Sequence, residues 1–163
     1  MKKLIALVVA LTSISFSQAG ESKKVVAVTP VVESLGLTAK AFAASVIEDT
    51  DTYAFGGGVT LEVPVFQNLK LEAGGSIFED ELYTVNANVL YYIPVTDTFS
   101  VYAIGGGSYE FETDQWTVGA GAGVKYALSS QLSLFADGVY NWTVEDTSED
   151  GVVVARVGLG FTF

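Results

Sequence analysis

Alternation between apolar and polar residues, one position at a time, runs through eight segments of this chain. The segments span residues 37–47, 53–63, 69–78, 82–93, 99–110, 115–128, 131–144 and 151–163. In the last segment, Arg156 lies on one face among glycines, whereas the other face is apolar and ends in Phe161 and Phe163. A period of two residues is typical of β-strands, so the pattern predicts eight strands. Their nearly even spacing favours an up-and-down order.

One face of every predicted strand is free of Asp, Glu, Lys and Arg. The charges within the strands lie on the opposite face, at Lys40, Glu62, Lys70, Glu72, Glu110, Lys125, Asp137 and Arg156. An apolar surface eight strands wide is too large to face water, whereas a bilayer requires one. A sheet survives in lipid only when its edges close on each other. The predicted fold class is therefore all-β: a transmembrane, eight-stranded, antiparallel β-barrel with its apolar face towards lipid.

The N-terminus has the pattern of an export signal. Lys2 and Lys3 precede an apolar run, and Ser17-Gln18-Ala19 provides a small-x-small cleavage site. The sequence therefore predicts a secretory signal peptide over residues 1–19, a periplasmic N-terminal lead over 20–35 and the barrel over 36–163. A short N-terminal anchor helix is the alternative, although the apolar run is too short to span a bilayer comfortably. Export of a barrel leads to the outer membrane of a Gram-negative-type bacterium.

Acidic residues are concentrated in alternate connections between the predicted strands. They form a predicted acidic extracellular rim: Glu48, Asp49, Asp51, Glu79, Asp80, Glu81, Glu112, Asp114, Glu145, Asp146, Glu149 and Asp150. The formal net charge of −11 argues against binding nucleic acid through its phosphates. The rim does not follow the EF-hand spacing, so no dedicated metal site is predicted. We expect only weak binding of divalent cations, shared with lipopolysaccharide.

The inward face predicts a filled lumen that contains charges, because eight strands enclose an interior just wide enough for side chains. The predicted lumen charge network consists of Lys40, Glu62, Lys70, Glu72, Lys125, Asp137 and Arg156. We expect Lys40, Asp137 and Arg156 to be neighbours at mid-height, across the seam between the first and last strands. The other members are expected nearer the periplasmic end. Buried charges must be paired. Two interpretations stay open: a salt-bridge network that plugs the barrel, and a narrow gated path for ions.

These features resemble the small outer-membrane barrels of the OmpA transmembrane-domain and OmpX type, often grouped as porin-family or outer-membrane β-barrel domain proteins. The resemblance covers residues 36–163. It rests on the eight segments, on Gly-rich strands such as Gly56-Gly57-Gly58, and on the ending Gly160-Phe161-Thr162-Phe163. It implies that Phe161 and Phe163 form the signal that the barrel-assembly machinery reads.

The sequence does not predict an enzyme. It contains no His and no Cys, so the serines on inward faces lack an evident activating base. No phosphate-binding loop, dinucleotide fingerprint or zinc spacing is present, and we expect no cofactor. The expected function is that of an integral barrel, monomeric in outer-membrane lipid, with a structural or surface-interaction role. The alternative is a small porin-like protein that passes ions through a narrow lumen.

Overall fold

The computed structural model describes residues 36–48, 52–79, 82–144 and 151–163. These ranges contain eight strands: β1 (Thr38–Glu48), β2 (Thr52–Pro64), β3 (Leu69–Phe78), β4 (Tyr83–Pro94), β5 (Phe99–Glu110), β6 (Gln115–Ala127), β7 (Leu132–Thr143) and β8 (Val152–Thr162). Each strand begins and ends within one residue of its predicted segment, so this prediction is confirmed. Within the same ranges, no helix is long and apolar enough to cross a membrane. The predicted signal peptide and N-terminal lead lie outside the described residues.

The strands form a closed antiparallel barrel in which each strand pairs with its neighbours in sequence. β8 returns to β1 and closes the sheet, with Thr162 opposite Thr38 and Val153 opposite Ile47. The predicted up-and-down order is therefore confirmed. We call the end where β1 begins and β8 ends the inner end, and the opposite end, where β1 ends at Glu48, the outer end.

The outside of the barrel is apolar and its inside is mixed. Phe55 and Trp116 face outward and are each 58% exposed, whereas the inward-facing Leu90 and Tyr102 are 0% and 2% exposed. The buried charged side chains all face the lumen: Lys40, Glu62, Glu72, Asp137 and Arg156. A barrel with an apolar exterior and charges confined to its interior is suited to hydrocarbon.

Aromatic side chains gather near both ends of the exterior. Towards the outer end, the ring centres of Tyr140 and Trp142 are 4.9 Å apart, and those of Tyr109 and Trp116 are 4.8 Å apart. Towards the inner end, the ring centre of Phe161 lies 5.1 Å from that of Phe163. Amphipathic rings favour the headgroup level of a bilayer, so the two belts mark the edges of the apolar band.

Three short turns close the inner end, over residues 65–68, 95–98 and 128–131. They share one geometry, in which the first backbone amide donates to the carbonyl oxygen four residues later. In the third turn, the Leu128 amide donates to the Leu132 oxygen at 2.8 Å, and the Ser129 hydroxyl accepts from the Leu132 amide at 3.0 Å. These three turns are themselves too short to cover the inner mouth of the lumen.

Candidate functional site in the barrel lumen

Two clusters of buried apolar side chains fill much of the lumen. The first contains Leu90, Tyr92, Tyr102, Ile104 and Val139. The second contains Phe42, Ala44, Phe78 and Phe135. The ring centres of Tyr92 and Tyr102 are 4.8 Å apart. The two packed tyrosines therefore occupy part of the inner half of the lumen.

A bidentate ion pair between Arg156 and Asp137 lies at mid-height. The two residues are directly opposite each other on β8 and β7. Nε of Arg156 donates to Oδ1 of Asp137 at 2.7 Å, and Nη2 donates to Oδ2 at 3.0 Å. The planar guanidinium matches a carboxylate in this way, which gives the pair both strength and a fixed orientation.

A glycine lets a tyrosine join this pair from two strands away. Gly123 lies between Tyr102 on β5 and Asp137 on β7 in the register of the sheet. A Cβ atom at Gly123 would lie 2.6 Å from the Asp137 Cβ atom and would also collide with the Tyr102 ring. Because that space is empty, the Tyr102 hydroxyl crosses β6 and donates to Oδ2 of Asp137 at 2.8 Å.

Glu72 links the Arg156 pair to the rest of the charges. Its Oε1 accepts from Nη1 of Arg156 at 3.0 Å and from the Asn88 amide at 3.1 Å. Its Oε2 accepts from Nζ of Lys40 at 2.8 Å and from the Thr60 hydroxyl at 3.3 Å. These four hydrogen bonds replace those that water would make to the carboxylate, so its burial is compensated.

Glu62 is the second junction, nearer the inner end. It pairs with Lys40, and its Oε2 accepts from Nζ of Lys70 at 3.0 Å. Its Oε1 also accepts from the Tyr92 hydroxyl at 2.6 Å. The ion pairs thus connect Lys40, Glu62, Lys70, Glu72, Asp137 and Arg156 into one assembly, which we call the lumen network.

The structure arranges these charges differently from the expectation in one respect. Lys40 was expected beside Asp137 and Arg156, but its carboxylate partners are Glu62 and Glu72. Its ammonium extends into the lumen, where it lies 4.6 Å from the centre of the Phe135 ring and 5.5 Å from that of the Tyr102 ring on the far wall. A lysine stem is long enough to cross a narrow barrel, so its partners need not lie on neighbouring strands. The two groups that the sequence suggested are therefore one network.

Lys125 takes a different place from the other expected members. Its ammonium lies 5.6 Å from the centre of the Tyr92 ring. No carboxylate of the described residues lies within 4.0 Å of it. Sequence reasoning also missed that Tyr92 and Tyr102 donate to the carboxylates. An inward glycine opposite an inward tyrosine, as at Gly123 and Tyr102, is the signal that could have indicated the second of these bonds.

The outer half of the lumen contains a cavity of about 580 Å³. Arg156 lies at its floor and Glu110 near its mouth. Uncharged polar side chains make up much of the wall: Ser76, Thr84, Asn86, Asn88, Ser108, Thr113, Gln115, Thr117, Asn141 and Thr143. The Asn86 Oδ1 atom is buried and has no hydrogen-bond partner in the described structure. A space of this size and polarity is suited to water.

Only part of the predicted acidic rim lies within the described residues. Glu79, Glu112 and Asp114 are exposed at the outer end, and Glu48 ends β1. The remaining rim residues are outside the described ranges: Asp49, Asp51, Asp80, Glu81, Glu145, Asp146, Glu149 and Asp150. At the other end, Phe161 and Phe163 are 40% and 50% exposed on the exterior.

No protein-family model matches this chain, and no curated protein matches it. Solved structures do. The N-terminal β-barrel domain of OprF from Pseudomonas aeruginosa is similar over 77% of this chain and 97% of its own, with 15% identity and a TM-score of 0.61. Neisserial surface protein A is similar over 78% and 96%, with 14% identity and a TM-score of 0.54.

A de novo designed transmembrane β-barrel is also similar, over 77% of this chain and 95% of its own, with 19% identity and a TM-score of 0.58. This chain has the fold of the small outer-membrane β-barrels. This chain resembles natural and designed barrels at low sequence identity, so the resemblance concerns the fold alone. Chains of this fold need to share only the alternation of apolar and polar residues and the closure of the sheet.

Proposed function

We propose that this protein is an integral outer-membrane barrel with a closed lumen, which acts in membrane structure and in surface contacts through its acidic outer rim. The lumen network carries the proposal. Five ion pairs join three carboxylates to three cations. With Tyr92 and Tyr102, the network draws side chains from every strand except β6. A buried polar network whose members are all bonded is rigid, and on this proposal its rigidity lets it plug the barrel against water and ions.

The exterior and the ends of the barrel suit particular partners. The apolar band faces outer-membrane lipid, and the acidic rim meets lipopolysaccharide, together with weakly held divalent cations. Phe161 and Phe163 serve as the assembly signal, and the barrel is a monomer. The proposal includes no catalytic step, since the sequence offers no histidine base and no cysteine nucleophile.

Single-channel recording in planar bilayers tests whether the lumen is closed. We expect the unmodified barrel to show no steady conductance. Tyr102→Ala removes a 2% exposed side chain from the inner half of the lumen and should produce ion-conducting events. Tyr83→Ala is the matched control, because Tyr83 is 48% exposed on the lipid face and its loss leaves the lumen intact. Steady conductance of the unmodified barrel would contradict the proposal.

A narrow ion path is the second candidate, and the outer cavity favours it. That cavity is polar, and the lumen network and the apolar side chains packed beside it separate it from the inner mouth, where the Lys70 side chain is 21% exposed. If the lumen is such an ion path, single-channel recordings of the unmodified barrel should show brief openings. Glu72→Gln, which weakens the link between Lys40 and Arg156, should then change the frequency of the openings. Silence of both barrels in the same bilayers supports the plug.

The orientation of the barrel can be tested on intact cells. An epitope inserted after Glu112, in the turn that follows β5, should be accessible to antibody on intact cells if the outer end is extracellular. The same epitope between Ser129 and Ser130, in an inner turn, should be accessible only after the outer membrane is permeabilised. The reverse result would place the acidic rim in the periplasm.

A further inference from the structure

The inner half of the lumen contains one more cation than carboxylate among the described residues. Its cations are Lys40, Lys70, Lys125 and Arg156, and its carboxylates are Glu62, Glu72 and Asp137. Each carboxylate already pairs with Lys40, Lys70 or Arg156. Lys125 is therefore the one cation of these four that forms no ion pair among the described residues.

Lys125 lies at the inner mouth beside a second lysine. Its ammonium is 5.6 Å from the centre of the Tyr92 ring, and that of Lys70 is 5.0 Å from the same centre. The two lysines come from different walls of the barrel, β6 and β3. Asp97, in the turn over 95–98, is exposed and forms no ion pair with Lys125 in the described structure.

Electrostatics favours an anion at this place. Lys125 is half-buried, so water solvates its ammonium incompletely, and Lys70 adds a like charge on the same ring. A π-face attracts a cation weakly compared with a carboxylate or phosphate oxygen. Ser100 lies directly opposite Lys125 on β5 and faces the lumen, so it brings a hydroxyl to the same mouth. Two ammonium groups and a hydroxyl are donors suited to a small oxyanion.

We propose that the inner mouth of the barrel binds a small oxyanion of the phosphate class between Lys125 and Lys70, above Tyr92. The anion is a free solute rather than a lipid headgroup, because both lysines are on the lumen face of their strands and lipid meets the opposite face. The site is separate from the acidic outer rim. It does not depend on whether the lumen conducts.

The test is titration of the refolded, isotopically labelled barrel with inorganic phosphate in phosphate-free detergent micelles, followed by NMR. Backbone amide signals of Ser100 and Lys125 should shift and saturate with phosphate. They should not do so with sodium chloride at equal ionic strength. Shifts that never saturate, or equal shifts with chloride, would mean that the mouth is merely a screened positive surface, and the proposal would be wrong. This part of the test needs no variant.

Lys125→Gln provides the second arm, and Gln115→Glu is its matched control. Both changes make the net charge more negative by one, but Gln115 lies in the outer cavity. We expect Lys125→Gln to bind phosphate at least about tenfold more weakly, whereas Gln115→Glu binds as the unmodified barrel does. Equal weakening in both variants would show that only overall charge matters. If a lipid phosphate were the ligand, adding phosphatidylglycerol to the micelles would shift the same amides and displace inorganic phosphate.

Discussion

The inner and outer halves of the lumen both carry polar side chains, but those side chains have different partners. In the inner half, Glu62, Glu72 and Asp137 bind cations and tyrosines on other strands. In the outer half, hydroxyls pair with their nearest neighbours, as in Ser108 with Thr117 at 2.6 Å, and the Asn86 Oδ1 atom has no partner in the described structure. The comparison teaches that polarity alone does not determine whether a lumen is filled: long charged side chains close it, and short neutral ones leave room for water.

The inner and outer halves should differ most in stability when one charge is removed from the lumen network. Asp137→Ala leaves the buried Arg156 with Glu72 alone, and breaking a buried pair from one side typically costs about 3–5 kcal/mol. Denaturant unfolding in micelles should show a loss of this size in the free energy of unfolding. Thr117→Ala, in the outer half, is the control and should change it little.

The double variant Asp137→Asn with Arg156→Gln sharpens the same comparison. It removes both charges of the pair, so no lone charge is left beside the amide, and much of the lost stability should return because the two sites are coupled. Strict additivity of the two single variants would contradict the direct ion pair that the structure shows.

Arginine scanning at one height tests whether the outer half is hydrated. Ala120 faces lipid and Asn141 faces the cavity, one residue apart in register on neighbouring strands. Ala120→Arg should destabilise the barrel by about 2–4 kcal/mol, as expected for arginine near the bilayer midplane. Asn141→Arg should cost much less, because the cavity of about 580 Å³ can hold a hydrated guanidinium. Equal losses in denaturant unfolding would mean that the cavity is dry.

The fold was predictable because the alternation of apolar and polar residues can be recognised in each strand separately. Residues 115–126 alternate regularly, and parity alone assigns Ala120 to lipid and Gly121 to the lumen. Parity does not fix the stagger between strands, however. A slide by two residues keeps every side chain on its face but changes which charges meet. This is why the sequence predicted an inward Lys40 correctly and still assigned it the wrong neighbours.

Tyrosine contacts were harder to predict for a related reason. The Tyr102 hydroxyl reaches Asp137 over an intervening strand, 35 residues further along the chain. Such a contact depends on the empty space at Gly123 as well as on register. The cavity was not predictable either. Small inward residues such as Gly119 are mixed with larger ones such as Phe78 and Asn141, and the volume that they leave depends on rotamers across the lumen.

Removing a single hydroxyl group should also destabilise the inner half more than the outer half. We expect this difference in the free energy of unfolding to be smaller than the one caused by removing a charge. Tyr102→Phe removes a buried hydrogen bond to a carboxylate, which typically contributes about 1.5–3 kcal/mol. Ser108→Ala removes a hydrogen bond beside the cavity, where water can replace it, so the change should stay within about 0.5 kcal/mol. Both are measured by denaturant unfolding. Similar losses in the free energy of unfolding would indicate that water reaches the hydroxyls of the outer half no better than those of the inner half.

Thiol accessibility compares the halves with almost no effect on stability. The chain contains no cysteine, so a single Ser→Cys change introduces the only thiol. Ser108 borders the outer cavity, whereas Ser133, near the inner end, is 4% exposed and donates to the Gly160 carbonyl oxygen. Ser108→Cys should therefore react with a small water-soluble thiol reagent almost as fast as the unfolded chain. Ser133→Cys should react only when the barrel opens, because its thiol has no path to water in the folded state. Fast reaction at both positions would mean that water reaches side chains in the inner half as readily as those beside the outer cavity, and the contrast between the two halves of the lumen would then be wrong.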